Sequence, residues 1–377
     1  MSACYSKIMI AGVVLLICLG AVLPLPADSG DPTRRLIGQV DTDSIRYELY
    51  VIEDSNGISQ EYVAELFTPV CHTNKCYPVY INLFWDLLGN FDRFEMPEGE
   101  ILTKLDHVPF DDKDYQKLQG ILSNERSILG NYSITDLVVS TETVDSNNGV
   151  DAVTGATSKT IQSEVISGAV YSCYTLWHLA HGPLTEETKA HTVANHTEQT
   201  LVRFLQSDHY PYQYWALERI QAQGKENEPP FVAALLELLR GKNIFLASHL
   251  IEALPETVFA SEARQRWLWE TYLQSPYRMQ MDILDRLHSL PLHSPLVTQL
   301  LKQLEASNPA QQQAILSVLE KQAALSKEQQ GLAVSYLQQG KWEEPLLRLL
   351  ANQSNPGAVT RKTLKKYTVT NQKITKP

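Results

Sequence analysis

The residues best suited to chemistry lie at positions 150–160, which read VDAVTGATSKT. Gly155 allows a ligand to approach the backbone closely, and Ala156 leaves the site uncrowded. From residue 158 to residue 180, apolar side chains recur at steps of three and four, which predicts a largely buried helix. The free N–H groups and the dipole at the start of a helix favour an anion. We therefore expect the hydroxyl of Thr157 to hold a phosphate at a helix start.

Residues 151–158, DAVTGATS, resemble the flavinylation sequence of the FMN-binding domain family. That family includes the covalently flavinylated subunits of the sodium-pumping NADH:quinone reductase and of related membrane electron-transfer complexes. In the family, a flavin transferase uses FAD to join FMN by a phosphoester bond to the last threonine of the motif, after export. The resemblance implies covalent FMN on Thr157, with Asp151 as the acidic residue that opens the motif. The other cofactor-binding residues that it implies are Thr154, Gly155, Ala156 and Ser158.

Two other interpretations use the same residues. A glycine-containing turn that caps a core helix would explain Gly155 and Ser158, but it leaves the rest of the string unexplained. A nucleotide-binding P-loop fails on spacing, because it requires glycine directly before Lys159, where Ser158 stands. The flavinylated threonine is therefore the prediction, and the capping turn is its alternative.

The amino terminus has the pattern of an export signal. Lys7 precedes an apolar run over residues 8–23, and Pro24 and Pro26 follow it. This pattern predicts a signal peptide over residues 1–27 and a periplasmic or cell-envelope location. An uncleaved segment that anchors the chain to the inner membrane is the alternative.

The composition limits the classes of partner. Hydrophobic residues make up 44% of the chain and charged residues 20%, as in a foldable soluble protein. The formal net charge of -11 argues against nucleic acid, because a phosphate backbone requires a basic surface. Only the tail, residues 354–377, is locally basic. We expect it to be a solvated, partly frayed end, with contact to a membrane surface as the alternative.

The chain changes character near residue 185. Alternating strand-like stretches at residues 45–52, 61–70 and 79–84 predict an antiparallel sheet, and residues 111–123 predict a helix. We therefore predict an α+β FMN-binding domain over residues 35–182. Residues 186–353 read as helix after helix at a spacing of about 35–40 residues, which predicts an all-α domain of HEAT-like repeats. A compact helical bundle is the alternative.

Several polar and aromatic residues are secondary candidates. Lys104 and His107 lie in a predicted loop and carry the kind of charge that stabilises an anionic reduced flavin. Six aromatic residues form a candidate stacking face, of which we expect at least four to be core. They are Trp85, Phe91, Phe94, Tyr171, Tyr174 and Trp177.

The cysteines and histidines are assigned mainly structural roles. Cys71 and Cys76 are predicted to form a disulfide that closes a short loop; reduced thiols facing the flavin or a partner come second, and a metal site comes last. Their spacing does not fit haem attachment. His178 and His181 have helical spacing but no acidic third ligand nearby, so we predict a helix-end role and no metal site.

The predicted function is extracytoplasmic electron transfer by FMN on Thr157. An electron carrier is favoured over the first alternative, a flavin-dependent reductase of a small extracytoplasmic substrate. The second alternative is a non-redox helical-repeat scaffold. The expected partners are a flavin transferase for maturation, membrane or extracytoplasmic redox proteins, and proteins that dock on the helical-repeat domain.

Overall fold

The computed structural model describes residues 32–42, 45–70, 78–139, 156–157, 161–322 and 324–374. The chain divides into two compact units, and the division falls between Ala194 and Asn195. The first unit is α+β and the second is all-α, as predicted. The third helix, α3 (Pro183–Asn195), belongs almost wholly to the first unit, although the sequence pattern ends that domain at residue 182.

A five-stranded antiparallel sheet forms the first unit's framework, with its strands adjacent in chain order. The strands are β1 (Thr33–Thr42), β2 (Ile45–Glu53), β3 (Ser59–Thr68), β4 (Val79–Trp85) and β5 (Phe91–Glu95). The three predicted strands are confirmed as β2, β3 and β4. Alternation places Leu49, Leu66 and Leu83 in the core, where each is at most 1% exposed.

Two tight turns set the sheet's register. Gly57 has a positive φ of 72° and closes the β2–β3 turn, where its N–H donates to the carbonyl of Asp54. Gly89 has a φ of 77° between β4 and β5, and a Cβ there would lie 2.7 Å from the side chains of Thr188 and Lys189. Glycine is therefore required at position 89 both by the backbone angle and by the approach of α3.

The helix predicted over residues 111–123 is confirmed as α1 (Asp112–Ser123). The Asp111 side chain accepts hydrogen bonds from the backbone N–H groups of Lys113 and Asp114, which caps the helix. Leu118 and Leu122 are fully buried on its inner face.

The helix predicted over residues 158–180 is shorter than expected. It begins at Val170 and ends at His181, and we name it α2 (Val170–His181). Gly168, with a φ of 79°, interrupts the helical backbone, and Val165 is extended. The predicted apolar residues are nevertheless buried, including Ile161 and Val165 ahead of the helix. Helical spacing correctly predicted which side chains enter the core but not where the helix starts.

The second unit is helical throughout the residues described. Its helices are α4 (Glu198–Gln206), α5 (Tyr210–Gln223), α6 (Pro229–Leu239), α7 (Ile244–Ala253), α8 (Glu262–Gln274), α9 (Tyr277–Ser289), α10 (Ser294–Gln303), α11 (Pro309–Glu320), α12 (Lys327–Gln338), α13 (Glu343–Ala351) and α14 (Ala358–Ile374).

These helices repeat with a short period. The even-numbered helices from α6 to α14 begin 33, 32, 33 and 31 residues apart, so the predicted period of 35–40 is wrong. One layer packs α7 on α9, α9 on α11 and α11 on α13, while the other packs α8 on α10, α10 on α12 and α12 on α14. The period is short because the helices are short and the connections between them are tight.

Glutamine side chains link consecutive repeats. The Gln322 side-chain oxygen accepts from the N–H of Leu292 (3.2 Å), and that of Gln353 accepts from the N–H of Leu325 (2.6 Å). The two glutamines are themselves one repeat apart. Each therefore satisfies a backbone donor in the preceding connection.

The helix α14 falls within the predicted basic tail, and part of it packs on the rest of the second unit. Thr360 is 2% exposed, and the Tyr367 hydroxyl donates to the carbonyl of Leu337 (2.8 Å). Among the residues described, no helix is both long and apolar enough to cross a membrane.

Candidate cofactor site in the first unit

The backbone of Thr157 lies in a short strand, β7 (Ala156–Thr157), which pairs antiparallel with β6 (Val138–Val139). Thr157 is opposite Val138, and Ala156 is opposite Val139. Because α2 begins only at Val170, the expectation that Thr157 stands at the start of this helix is wrong. Attachment of FMN to Thr157 stays a prediction.

Most of the other predicted site residues lie outside the described part of the chain. These residues are Asp151, Thr154, Gly155 and Ser158 of the motif, together with Cys71 and Cys76. The predicted disulfide and the rest of the motif are therefore neither confirmed nor contradicted.

An open cavity of about 700 Å³ lies beside the carboxyl-terminal half of α2. Residues from β1, β2, the end of β3 and the α2–α3 junction form its walls, and Ile134 lies on a further wall. Its volume is in the range of cavities that hold small molecules and cofactors. The lining residues are Asp41, Thr42, Ile45, Tyr47, Thr68, Pro69, Ile134, Tyr174, Thr175, His178, Leu179, Gly182 and Pro183.

The pairing of β6 with β7 places Thr157 near the cavity. Ile134 precedes Val138, the pairing partner of Thr157, by four residues. Four residues span at most about 14 Å, and paired residues of antiparallel strands lie about 5 Å apart. The Cα atom of Thr157 is therefore within about 20 Å of the cavity wall at Ile134.

Three aromatic side chains give the cavity its chemistry. The Tyr174 and His178 rings lie 4.2 Å apart between centroids, one helical turn from each other on α2. Burial raises the pKa of Tyr174 and lowers the pKa of His178, so both are neutral at pH 7. On the sheet side, the buried Tyr47 hydroxyl donates to the hydroxyl oxygen of Thr68 (2.8 Å). The arrangement suits a planar ring with polar edges.

Lys104 and His107 lie elsewhere in the first unit and do not line this cavity. The Lys104 ammonium is 2.6 Å from the carboxylate of Asp114, and this ion pair lowers the pKa of Asp114. The backbone beside Lys104 packs on Gly168, whose carbonyl accepts from the N–H of Leu105 (2.7 Å). Because Asp114 compensates its charge, Lys104 is a weaker source of positive potential than its sequence position suggests.

The predicted stacking face is only partly core. Trp85 and Trp177 are buried, whereas Phe91, Phe94, Tyr171 and Tyr174 are half-buried, so the expectation of four core residues is wrong. Tyr174 is the one of the six that lines the cavity. Tyr174 was named from the sequence as a candidate stacking residue, while nothing in the sequence pattern pointed to Tyr47.

Side chains of α2 contact backbone carbonyl groups at the end of α1 and in the segment that follows it. Trp177 donates to the carbonyl of Asn124 (2.9 Å), and Tyr174 donates to that of Tyr132 (3.1 Å). His178 contacts the carbonyl of Leu129 and His181 that of Leu122, at 3.2 and 2.7 Å. Both imidazoles are in the last turn of α2, and among the residues described no group of three possible metal ligands occurs.

This network predicts acid sensitivity in the first unit. Burial lowers the pKa of His178, His181 and His191, so the unfolded chain binds protons more readily than the folded one below the ordinary histidine pKa of about 6.5. Stability should therefore fall as the pH drops from about 7.5 to about 5.5. The protection factors of the α2 amides, which are corrected for the pH dependence of intrinsic hydrogen exchange, should be several-fold smaller at the lower pH.

Replacement of His181 tests the cause of this pH dependence. His181→Gln keeps a neutral donor for the Leu122 carbonyl and should flatten the dependence of the α2 protection factors on pH. The matched change His249→Gln alters an exposed histidine of the second unit and should leave it unchanged. Equal slopes in His181→Gln and the unaltered protein would contradict this assignment.

Comparison with family models, curated proteins and solved structures found no match for this chain. The functional argument therefore depends on the motif and on the geometry of the first unit.

Proposed function

We propose that this chain is an extracytoplasmic electron carrier with FMN joined by a phosphoester bond to Thr157. The observation that carries the proposal is the DAVTGATS string, which resembles a flavinylation sequence over all of its residues. Support comes from the position of the Thr157 backbone. It pairs with Val138, which is four residues from Ile134 on the wall of a cavity of cofactor size. The first unit would then be an FMN-binding domain.

The cavity residues fit the flavin ring. Tyr174 and His178 would contact one face of the ring, and the paired hydroxyls of Tyr47 and Thr68 would lie at a polar edge. The bound flavin supplies one- or two-electron redox chemistry. The role of the protein residues is to orient the ring and limit its contact with water, which tunes its potential.

A covalent bond suits a protein outside the cytoplasm. Free FMN is dilute there, so a reversible site would be mostly empty unless its affinity were very high. A tether keeps the local concentration of the flavin fixed, whatever the concentration in solution. The bond would form by transfer of the FMN moiety of FAD to the Thr157 hydroxyl, with AMP leaving and the threonine proton released.

The second unit would be a HEAT-like docking domain. Its two layers of helices with a period of 31–33 residues support this proposal, because stacked helix pairs present extended surfaces to protein partners. The partners would be the membrane or extracytoplasmic redox proteins that give and receive electrons.

Intact mass spectrometry tests the proposal. The chain is coexpressed with a flavin transferase and exported, and its mass should increase by one FMN less one water. Peptide mapping should place the addition on residues 150–160. An unchanged mass would contradict the flavoprotein proposal and favour the non-redox helical-repeat scaffold.

The cavity also favours a second candidate, a flavin-dependent reductase. Its volume of about 700 Å³ leaves open space beside a ring for a small oxidant. A reductase would turn over such an oxidant steadily when a chemical reductant is supplied, whereas a carrier would show a single rapid oxidation by its partner protein.

A further inference from the structure

The last helix presents a basic face. Arg361, Lys362, Lys365 and Lys366 recur at helical spacing on the exposed side of α14. Residues 352–377 contain six lysines and arginines and no acidic residue, whereas the whole chain has a net charge of -11, so the other residues carry -17. Positive charge is therefore concentrated at one end of a strongly acidic chain.

Packing fixes the direction of this face. The opposite side of α14 contacts α12 and α13, where Thr360 is 2% and Thr363 is 8% exposed. The Thr360 hydroxyl donates to the side-chain oxygen of Gln330 (3.1 Å). The helix cannot rotate its cations inward without breaking these contacts, so they stay on the surface.

We propose that this basic face binds an anionic lipid surface. The four cations lie on one exposed face, and clusters of lysine and arginine are attracted to anionic lipid surfaces. Residues 352–377 contribute cations and no acidic residue to this face, so it complements a negative surface. The net charge of -17 on the rest of the chain is repelled by an anionic surface, so this end of the second unit would face the membrane.

Vesicle cosedimentation of the full chain tests the proposal. Binding is measured with phosphatidylcholine vesicles, with and without phosphatidylglycerol, at low and high salt. We expect stronger binding to the anionic vesicles, and the difference should disappear at high salt. The variant Arg361→Gln/Lys362→Gln/Lys365→Gln should reduce partitioning to anionic vesicles about a hundredfold, since each cation contributes about fivefold.

A matched variant separates local from overall charge. Lys242→Gln/Lys302→Gln/Lys321→Gln removes three other exposed cations from the second unit and should change the partitioning much less. The proposal is wrong if both variants lose binding equally, or if neutral and anionic vesicles bind the chain alike. It is also wrong if an acidic protein partner binds the basic face while anionic vesicles do not. Thermal unfolding of each variant checks that α14 remains folded.

Discussion

Thr157→Ala is expected to abolish covalent flavin completely. The phosphoester needs a hydroxyl at this position, and alanine offers no atom to which the phosphate can be joined. The fold should be little affected, because the contribution of β7 to the sheet pair is made by its backbone. The coexpressed variant should therefore keep the mass of the unmodified chain and show no flavin absorbance after denaturation.

A neighbouring hydroxyl provides the control. Thr160→Ala removes the same group three residues later and should retain full flavin loading. Flavin addition that survives Thr157→Ala would contradict the assigned attachment residue. Loss of flavin in both variants would indicate a general defect in recognition by the transferase. Peptide mapping of the unaltered protein would then identify the attachment residue.

Trp85→Ala is expected to destabilise the first unit by about 3–5 kcal/mol. Trp85 is fully buried at the end of β4, and its ring N–H donates to the carbonyl of Ala180 (2.8 Å). The substitution leaves a large void between the sheet and α2 and removes that hydrogen bond. Since the sheet and α2 are opposite walls of the cavity, ligand affinity there should fall as well.

Trp85→Phe separates packing from hydrogen bonding. It keeps a buried ring, and the Ala180 carbonyl still accepts from the Thr185 hydroxyl (2.6 Å), so the expected loss is about 1–2 kcal/mol. Hydrogen exchange of β4 and α2 measures both effects, and the α8–α11 peptides serve as an internal reference. Similar exchange in Trp85→Ala and the unaltered protein would contradict this role for Trp85.

The sequence predicted the sheet well where the signals were local. Alternation predicted β2 and β3, because this pattern depends on residues close in the chain. β1 was missed since it is an exposed edge strand, with no side chain of Thr33–Thr42 fully buried and so no alternation to detect. The start of α2 was misplaced because Ile161 and Val165 are buried at helical spacing without being helical.

The candidate site was only partly predictable. The motif predicts Thr157 from adjacent residues, and that role stays a prediction. Tyr174 was one of six aromatic residues proposed as a stacking face. The cavity itself depends on β1, β3 and α2, which meet only in the folded chain, so its sheet wall at Tyr47 had no sequence signal. The pairing of Lys104 with Asp114 is likewise a contact of the fold, between a loop and the first turn of α1.

The repeats linked by Gln322 and Gln353 have a consequence for how the second unit comes apart. Each helix pair is held mainly by its two neighbours. The second unit is therefore expected to unfold stepwise from its ends, without a single all-or-none transition. The outermost pair has one neighbour, and α14 is the only described cover beyond α12 in its layer. A surface that binds α14 would therefore stabilise this end of the second unit. Detachment of α14 from that surface would be the first step when the unit unfolds from this end.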